Sequence, residues 1–357
     1  MKLSLFQDYL KKKNIGQAIF IHPDPSILYF TQKKFSFALF LISPSCATIY
    51  TTPLDAFPSF SDIKVNILPK NWEKILNLKN KSEKMKKNDI RNNKIGINKE
   101  MLSVSLYEKL QKISPKASFI DVGEKIKEFR QQKTAKEHQK IKKACEITTC
   151  AFEALIKELP LKKLHTEVDV ALFLELFMRR QGAELAFPTI VASGKNSATP
   201  HHQTSLQKLQ KGFLQLDFGA QFENYCADMS RVLYLGKPTK EEKEKYDFLL
   251  KVQEACISKI KEGKAFKILD IFARNSLEND AKFFIHSLGH GIGIEVHEAP
   301  VYNKENTKVQ KNNAFTIEPG IYFNGKYGLR IEDTVLWNGE KAEVLTKARK
   351  ALVEIPL

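Results

Sequence analysis

Residues 212–235 read GFLQLDFGAQFENYCADMSRVLYL. Apolar and polar residues alternate over Gly212–Gly219 and again over Glu223–Leu235, the period of half-buried strands. A turn centred between Phe222 and Glu223 closes the two into a hairpin. Symmetric closure there sets Asp217 opposite Asp228. Like charges directly opposite one another destabilise a sheet. Either one carboxyl has a raised pKa or a cation lies between the two. A cation is the more economical answer when further ligands follow.

They follow downstream. Ala314–Phe323 and Gly328–Trp337 predict a second hairpin, with Asn324-Gly325 in the connection. A loop centred on Gly325 brings Glu318 near Glu332. A two-residue turn would pair Glu318 with Ile331 instead, an offset that a bulge at Gly328 would absorb. Five of the eight histidines fall in the same region: His201, His202, His286, His290 and His297. A structural or surface role is the default for any one of them, but five among acidic strand words point to a site. His290 lies in Gly289-His290-Gly291-Ile292-Gly293, where missing side chains let other groups crowd close. His286 and His290 have the spacing of a helical zinc motif. The Ser-Leu-Gly between them offers no glutamate, and Gly291 and Gly293 disfavour helix, so that reading is rejected. Asp217, Asp228, His290, Glu318 and Glu332 remain as an oxygen-rich ligand set. Four carboxylates balance the charge of two divalent cations, and two-metal hydrolases use such a pair to activate water.

The rest of the 357-residue chain bounds the answer. Its length suits roughly two domains. No apolar run approaches the ~20 residues of a membrane span, and the start, MKLSLFQDYLKKKN, lacks the apolar stretch and cleavage site of a signal peptide. Five irregularly spaced cysteines fit neither a disulfide framework nor a zinc knuckle, which suits a reducing cytoplasm. The net charge of +16 raises the question of nucleic acid. Only eight of the 57 basic residues are Arg, and the Lys are spread along the whole chain, so no nucleic-acid partner is expected. The densest run, KNKSEKMKKNDIRNNK at Lys79–Lys94, reads as a solvated loop or helix face.

Residues 1–125 alternate short segments: a helix starting over Phe6–Lys12, strands at Ala18–Ile21, Ala38–Ile42, Thr48–Thr51, Lys94–Ile97 and Ser118–Val122, and a helix over Asn71–Leu78. This is an α/β pattern without evident chemistry. From 126 to 357 the pattern is α+β. Ile141, Ala144, Ile147, Thr148, Ala151 and Leu155 recur at helical spacing within Thr134–Leu159, and Pro160 stops the run. Thr166 with Asp169 and Thr239 with Glu242 start two further helices, running to about Arg180 and Lys261. A fourth covers roughly Ile268–Asn279. Helix pair, strands, helix pair, strands suggests a pseudo-duplicated unit with helices outside and a curved sheet inside.

The words FPTIVASGKNSATPHH (187–202), LDFGAQFENYCADMSR (216–231), HSLGHGIGIEVHE (286–298), FTIEPGIY (315–322) and LRIEDT (329–334) resemble the pita-bread-fold metallopeptidases. That family includes Xaa-Pro aminopeptidases, prolidases and methionine aminopeptidases. The resemblance covers about Arg130–Leu357. A domain ahead of the catalytic one, the Asp-Met-Ser-Arg word and Arg330 before Ile331-Glu332 are similar to the Xaa-Pro branch. In the first domain, Tyr29-Phe30-Thr31-Gln32 departs from the Tyr-Leu-Thr-Gly usual in relatives.

The resemblance implies a role for each residue. Asp217 would bind one metal, Asp228 and Glu332 would bridge two, and His290 and Glu318 would complete the other. Carboxylate-rich ligation favours Mn²⁺, with Co²⁺ or Zn²⁺ as alternatives. Glu318 would move the proton to the leaving nitrogen. His201 and His297 would hydrogen-bond the substrate backbone and the oxyanion. His286 and Arg330 would line the pocket toward the proline, and His202, matching no essential position, would be exposed. The expected activity is Xaa-Pro aminopeptidase, with Xaa-Pro dipeptidase (prolidase) as the alternative, in a homodimer acting on Xaa-Pro peptides away from membranes. A binding protein that lost catalysis should lack a ligand, and all five are here. A creatinase-like hydrolase would not need the acidic set.

Overall fold

The computed structural model describes residues 2–55, 60–76, 93–161, 163–302 and 307–356. The solvated reading of the Lys79–Lys94 run falls almost wholly outside the described residues. The chain divides into two compact units, Met1–Arg130 and Gln131–Leu357.

The first unit is a six-stranded mixed sheet with helices. Its strands are β1 (Gln17–Ile21), β2 (Ala38–Ile42), β3 (Ala47–Thr51), β4 (Lys64–Ile67), β5 (Lys94–Ile97) and β6 (Ser118–Asp121). They lie in the order β4-β3-β2-β1-β5-β6. The sequences QAIFI and ALFLI of β1 and β2 are buried at every position, as central strands covered on both faces must be. β4, at one edge, is short and mostly exposed. The helices are α1 (Lys2–Lys12), α2 (Pro25–Thr31), α3 (Glu73–Leu76), α4 (Val104–Ile113) and α5 (Gly123–Gln131). The strands expected from sequence are all present, while β4, α2, α4 and α5 were not foreseen. The α2 signal was there: Asp24 caps the Ser26 amide and Pro25 opens the helix.

The second unit repeats one motif. Helices α6 (Ala135–Glu158) and α7 (Glu167–Arg180) start at capping boxes, Thr134 with Glu137 and Thr166 with Asp169. Strands β7 (Glu184–Leu185), β8 (Ile190–Ser193), β9 (Gly212–Phe218), β10 (Ala220–Phe222), β11 (Tyr225–Cys226) and β12 (Met229–Leu235) follow. Helices α8 (Lys240–Ser258), boxed by Thr239 and Glu242, and α9 (Phe266–Ser276) come next. The chain then gives β13 (His290–Gly291), β14 (Glu298–Val301), β15 (Ala314–Ile317), β16 (Gly320–Phe323), β17 (Tyr327–Arg330), β18 (Asp333–Trp337), β19 (Ala342–Val344) and β20 (Val353–Ile355). The main sheets run β20-β12-β9-β8 and β14-β13-β15-β18-β19. In each half a lone antiparallel bridge ties the start of the second helix to a later loop, Thr166 to Lys208 and Ala265 to Lys308.

Alternation decides which side chains meet. Leu214, Leu216 and Phe218 of β9 pack with α6 and α7, so Gln215 and Asp217 face the other way. Phe315 and Ile317 of β15 pack with α8 and α9, so Thr316 and Glu318 face away from those helices.

Both predicted hairpins form, with corrections to register. In the first, Asp217 stands opposite Ser230, not Asp228. The turn is Glu223-Asn224, both at positive φ (45° and 71°), as a type I′ turn requires. Moving the turn by one residue slides the pairing by two. Asp228 keeps its side of the sheet but sits diagonally from Asp217, in the break before β12. In the second hairpin, Gly320 pairs with Arg330 and Ile317 with Asp333. Both ladders are symmetric about Gly325, so Glu318 and Glu332 occupy facing positions in the break between them. Gly328 is no bulge. It pairs regularly with Tyr322, and a Cβ there would meet the Ser197 carbonyl oxygen at 2.2 Å.

A buried charge network fastens the halves together. Arg231 donates to Asp333 Oδ1 at 2.7 Å and to the carbonyls of Glu332, Thr346 and Ala348. Asp333 also accepts from Lys350 at 2.7 Å and Gln253 at 2.8 Å. Burial pushes Asp333 up, but Arg231 and Lys350 outweigh it and leave the carboxyl below its ordinary value. The unfolded chain therefore binds this proton more tightly. The stabilisation is complete above about pH 4 and is lost as pH falls through the lowered folded value. Arg231→Ala leaves Asp333 short of its buried partner. Denaturant unfolding of the variant at pH 7 should show a loss of about 3–5 kcal/mol; a loss under about 1 kcal/mol would refute the stapling role.

Candidate metal centre

The inward faces of the two hairpins meet at a cavity of about 790 Å³. Asp217, Asp228, His290, Glu318 and Glu332 all line it, so the structure brings the five sequence-predicted ligands together. Asp228, His290 and Glu332 offer ligand atoms within 4.8 Å of one another, a grouping that could hold a metal ion. His290 Nε2 lies 3.5 Å from Asp228 Oδ2 and 3.3 Å from Glu318 Oε1. Its Nδ1 lies 3.1 Å from the Gly291 carbonyl oxygen. A proton donated there leaves the Nε2 lone pair facing the carboxylates. Gly291 permits this: a Cβ would meet the Ala299 carbonyl at 2.3 Å.

The acidic oxygens are poorly served by protein donors. Asp217 Oδ1, Asp228 Oδ1 and Glu332 Oε1 are buried with no hydrogen-bond partner. Burial, and then the charges of Asp217 and Glu318, push the Asp228 pKa well above the carboxylate range. Burial and the charge of Asp228 do the same to Glu332. Such groups either hold protons or wait for cations. Unpartnered oxygens around one imidazole are the donor set hard divalent ions take, so the residues present fit divalent metal binding.

Three other oxygens of the set are pinned. Arg330 donates from Nη2 to Asp217 Oδ2 at 2.6 Å, from Nη1 to the Tyr322 hydroxyl at 2.7 Å and from Nε to Ser230 Oγ at 2.8 Å. Ser230 passes its own proton to Glu332 Oε2 at 2.9 Å. Thr316 accepts from the His290 amide and donates to Glu318 Oε1 at 3.0 Å. Arg330 thus lines the cavity as expected, but its donors orient a predicted ligand. Tyr322 and Ser230 are residues that the sequence reading missed. The signal was the period of two: Tyr322 follows Glu318 by four residues on one side of the hairpin, and Ser230 follows Asp228 by two.

His201, His286 and His297 also line the cavity. The His297 ring centroid lies 4.1 Å from that of His290, and burial followed by the His290 charge lowers its pKa. His286 is also held low, chiefly by burial. Its Nδ1 donates to the Ser287 carbonyl oxygen at 2.9 Å, and its Nε2 accepts from Tyr322 at 3.0 Å. His202 corrects the expectation of an exposed ring. It is half-buried, with Nε2 2.8 Å from Glu167 Oε2.

Comparison with known proteins agrees with this geometry. Residues 139–338 match metallopeptidase family M24, and residues 2–132 match the creatinase/prolidase N-terminal domain. A Xaa-Pro dipeptidase from Pyrococcus horikoshii is 34% identical over 96% of this chain and 95% of its own. The structure is similar to a Xaa-Pro dipeptidase from Bacillus anthracis (TM-score 0.88, 29% identity, 99% of both chains). It is also similar to an X-Pro aminopeptidase from Thermotoga maritima (TM-score 0.83, 32% identity, 96% of this chain and 99% of that one). A pita-bread second unit behind a creatinase/prolidase-type first unit, with metal-binding chemistry where the two hairpins meet, makes this chain a member of metallopeptidase family M24.

Proposed function

We propose that the protein is a Xaa-Pro peptidase working with two divalent ions, and that it acts as a dipeptidase rather than an aminopeptidase. The observation that carries the peptidase reading is the set of buried, unpartnered oxygens of Asp217, Asp228 and Glu332 around His290. The preference for dipeptides rests on relatives named Xaa-Pro dipeptidases, and it reverses the order expected from sequence.

In this reading Asp217, Asp228, His290, Glu318 and Glu332 would hold the ions. Mn²⁺ suits the oxygen-rich set, ahead of Co²⁺ and Zn²⁺. Ions held there would supply a water of lowered pKa and polarisation of the scissile carbonyl. Glu318, steadied by Thr316, carries the proton to the leaving nitrogen. His201 and His297 hydrogen-bond the substrate backbone and the developing oxyanion. His286 and Arg330 stand on the wall that meets the proline, with Arg330 acting through Asp217. The Xaa-Pro bond has a tertiary nitrogen with no N–H. A site gripping the amine and the carbonyl does not need that donor. The reading includes a homodimer and a reducing cytoplasm. The described cysteines are all free thiols, and no described helix is long and apolar enough to cross a membrane.

Three measurements test this. With Mn²⁺ the protein should release proline from Ala-Pro and cleave Ala-Pro-Ala at least about tenfold less efficiently, a difference of roughly 1.4 kcal/mol. Faster turnover of the tripeptide would return the reading to aminopeptidase, and no turnover of either with Mn²⁺, Co²⁺ or Zn²⁺ would end it. Glu318→Gln should lower kcat about 10²- to 10⁴-fold; a fall of under about threefold would remove it from proton transfer.

The third concerns the metal-free protein. Its folded state binds the Asp228 and Glu332 protons more tightly than the unfolded chain does. Stability therefore falls as pH rises from about 4 toward the raised values. Asp228→Asn should flatten that decline and stabilise the metal-free form near pH 7 by about 1 kcal/mol, while abolishing the Tm increase that Mn²⁺ gives the wild type. A metal-free variant that melts below wild type would contradict the crowded-charge account.

A further inference from the structure

Glu167 opens α7, and its side chain is fully buried. Its two oxygens collect donors from both ends of one irregular segment. Oε1 accepts from the Ser193 amide at 2.9 Å and the Asn196 side-chain amide at 2.8 Å. Oε2 accepts from the Ser205 amide at 3.2 Å, the Ser205 hydroxyl at 2.9 Å and His202 Nε2 at 2.8 Å. Burial pushes this carboxyl up, but the bonds from Asn196, Ser193, His202 and Ser205 outweigh burial and keep its pKa below the ordinary value. The start of a helix also favours a negative charge.

The clamped segment carries Pro200, His201, Gln203 and Thr204, all on the cavity wall. Thr204 Oγ1 accepts from the Val191 amide and donates to the Thr189 carbonyl oxygen, each at 2.9 Å. Ile190, beside them, pairs with Asp217 across the sheet. The carboxylate thus fixes a loop that lies beside the Asp217 strand. The His202 ring is its link to His201, the next residue along. His202 also fixes the local backbone, its amide donating to the Thr199 carbonyl oxygen at 3.1 Å.

We propose that Glu167, acting through the His202 ring it holds, is a positioning residue that sets His201 against the substrate. The proposal rests on the Xaa-Pro peptidase reading for what His201 does there, and on geometry alone for the clamp. Neither Glu167 nor His202 touches the reacting atoms in this account. A small misplacement of a substrate-binding group is costly because the reaction demands near-contact geometry.

The test separates positioning from simple support. His202→Gln and Glu167→Gln are assayed on Ala-Pro with Mn²⁺, alone and in a His201→Ala background. His202→Gln should lower kcat about tenfold with KM within about twofold, and cost less than about twofold when His201 is already absent. Mn²⁺ binding, followed by calorimetry, should not change. Equal fractional losses in both backgrounds, or loss of Mn²⁺ binding in step with activity, would overturn the proposal. Amide exchange reads the clamp without turnover. Glu167→Gln should speed exchange at Ser193 and Ser205 at least about tenfold, with Asp217 and Ser230 unaffected; unchanged exchange overturns the clamp. If Glu167→Gln does not fold, His202→Gln carries the same exchange measurement, read at Ser205. A wild-type protein that turns over no Xaa-Pro peptide would sink the peptidase reading, and exchange would still decide the clamp.

Discussion

Four carboxylates crowd one buried place, and the second unit is organised around that repulsion. In water the charges would be screened; in a buried cavity they act on each other several-fold more strongly. Burial and mutual charge already drive Asp228 and Glu332 toward holding protons. The side chains converge because the backbone gives them nowhere else to go. Two hairpins fix the faces, and Arg330, Ser230 and Thr316 each pin one carboxylate oxygen. The Arg231–Asp333 pair sits immediately behind Glu332 and absorbs charge on the far side of the strand. The oxygens left over, Asp217 Oδ1, Asp228 Oδ1 and Glu332 Oε1, are buried without a hydrogen-bond partner.

The histidines pose a different problem. His201 and His286 lie outside the strands, where no ladder holds the backbone. Each irregular segment is fixed by a charged side chain from elsewhere in the unit. Glu167 holds the His201 loop. Asp270 accepts from the Leu288 amide at 2.7 Å, and Arg274 donates to the carbonyls of Phe284 and His286. The stretch after His297 is held by a buried ion pair, Lys133 to Glu298 at 2.9 Å. The first two of these clamps come from corresponding helices, α7 and α9, so the internal repeat supplies both the hairpins and the means of holding the histidine segments.

The site was more legible than its geometry. Ligand-type residues sit in short words with strict alternation, so their shared face could be read directly. Register could not, because it depends on turn conformation. Glu223 and Asn224 both take positive φ, which moved the first pairing by two residues, whereas the symmetric loop about Gly325 left Glu318 facing Glu332. A bulge at Gly328 belongs only to the two-residue-turn alternative; the glycine instead admits a close backbone neighbour, Ser197, more than a hundred residues away in sequence. The His202 error has the same origin. Nothing near Thr166-Glu167 in the sequence announces that the glutamate will reach a histidine 35 residues on. Helices with capping boxes were found. α4 and α5 were missed, both short and carrying weaker start signals.

The fastening around Arg231 also orders events in time. Two of its acceptors are the carbonyls of Thr346 and Ala348, Asp333 takes further donors from Thr346 Oγ1 and Lys350, and β20 lies beside β12 through Leu233 and Val353. The strand that bears Ser230 and follows Asp228 therefore has its outer edge and its charge balance completed by residues 346–355. On a ribosome the first unit can fold while the second is still being made. The frame around the cavity must await residues 346–355, which are made after all five candidate ligands. A growing polypeptide thus carries the acidic words unframed until that stretch has emerged, and truncation ahead of it would leave the carboxylates without the frame that brings them together.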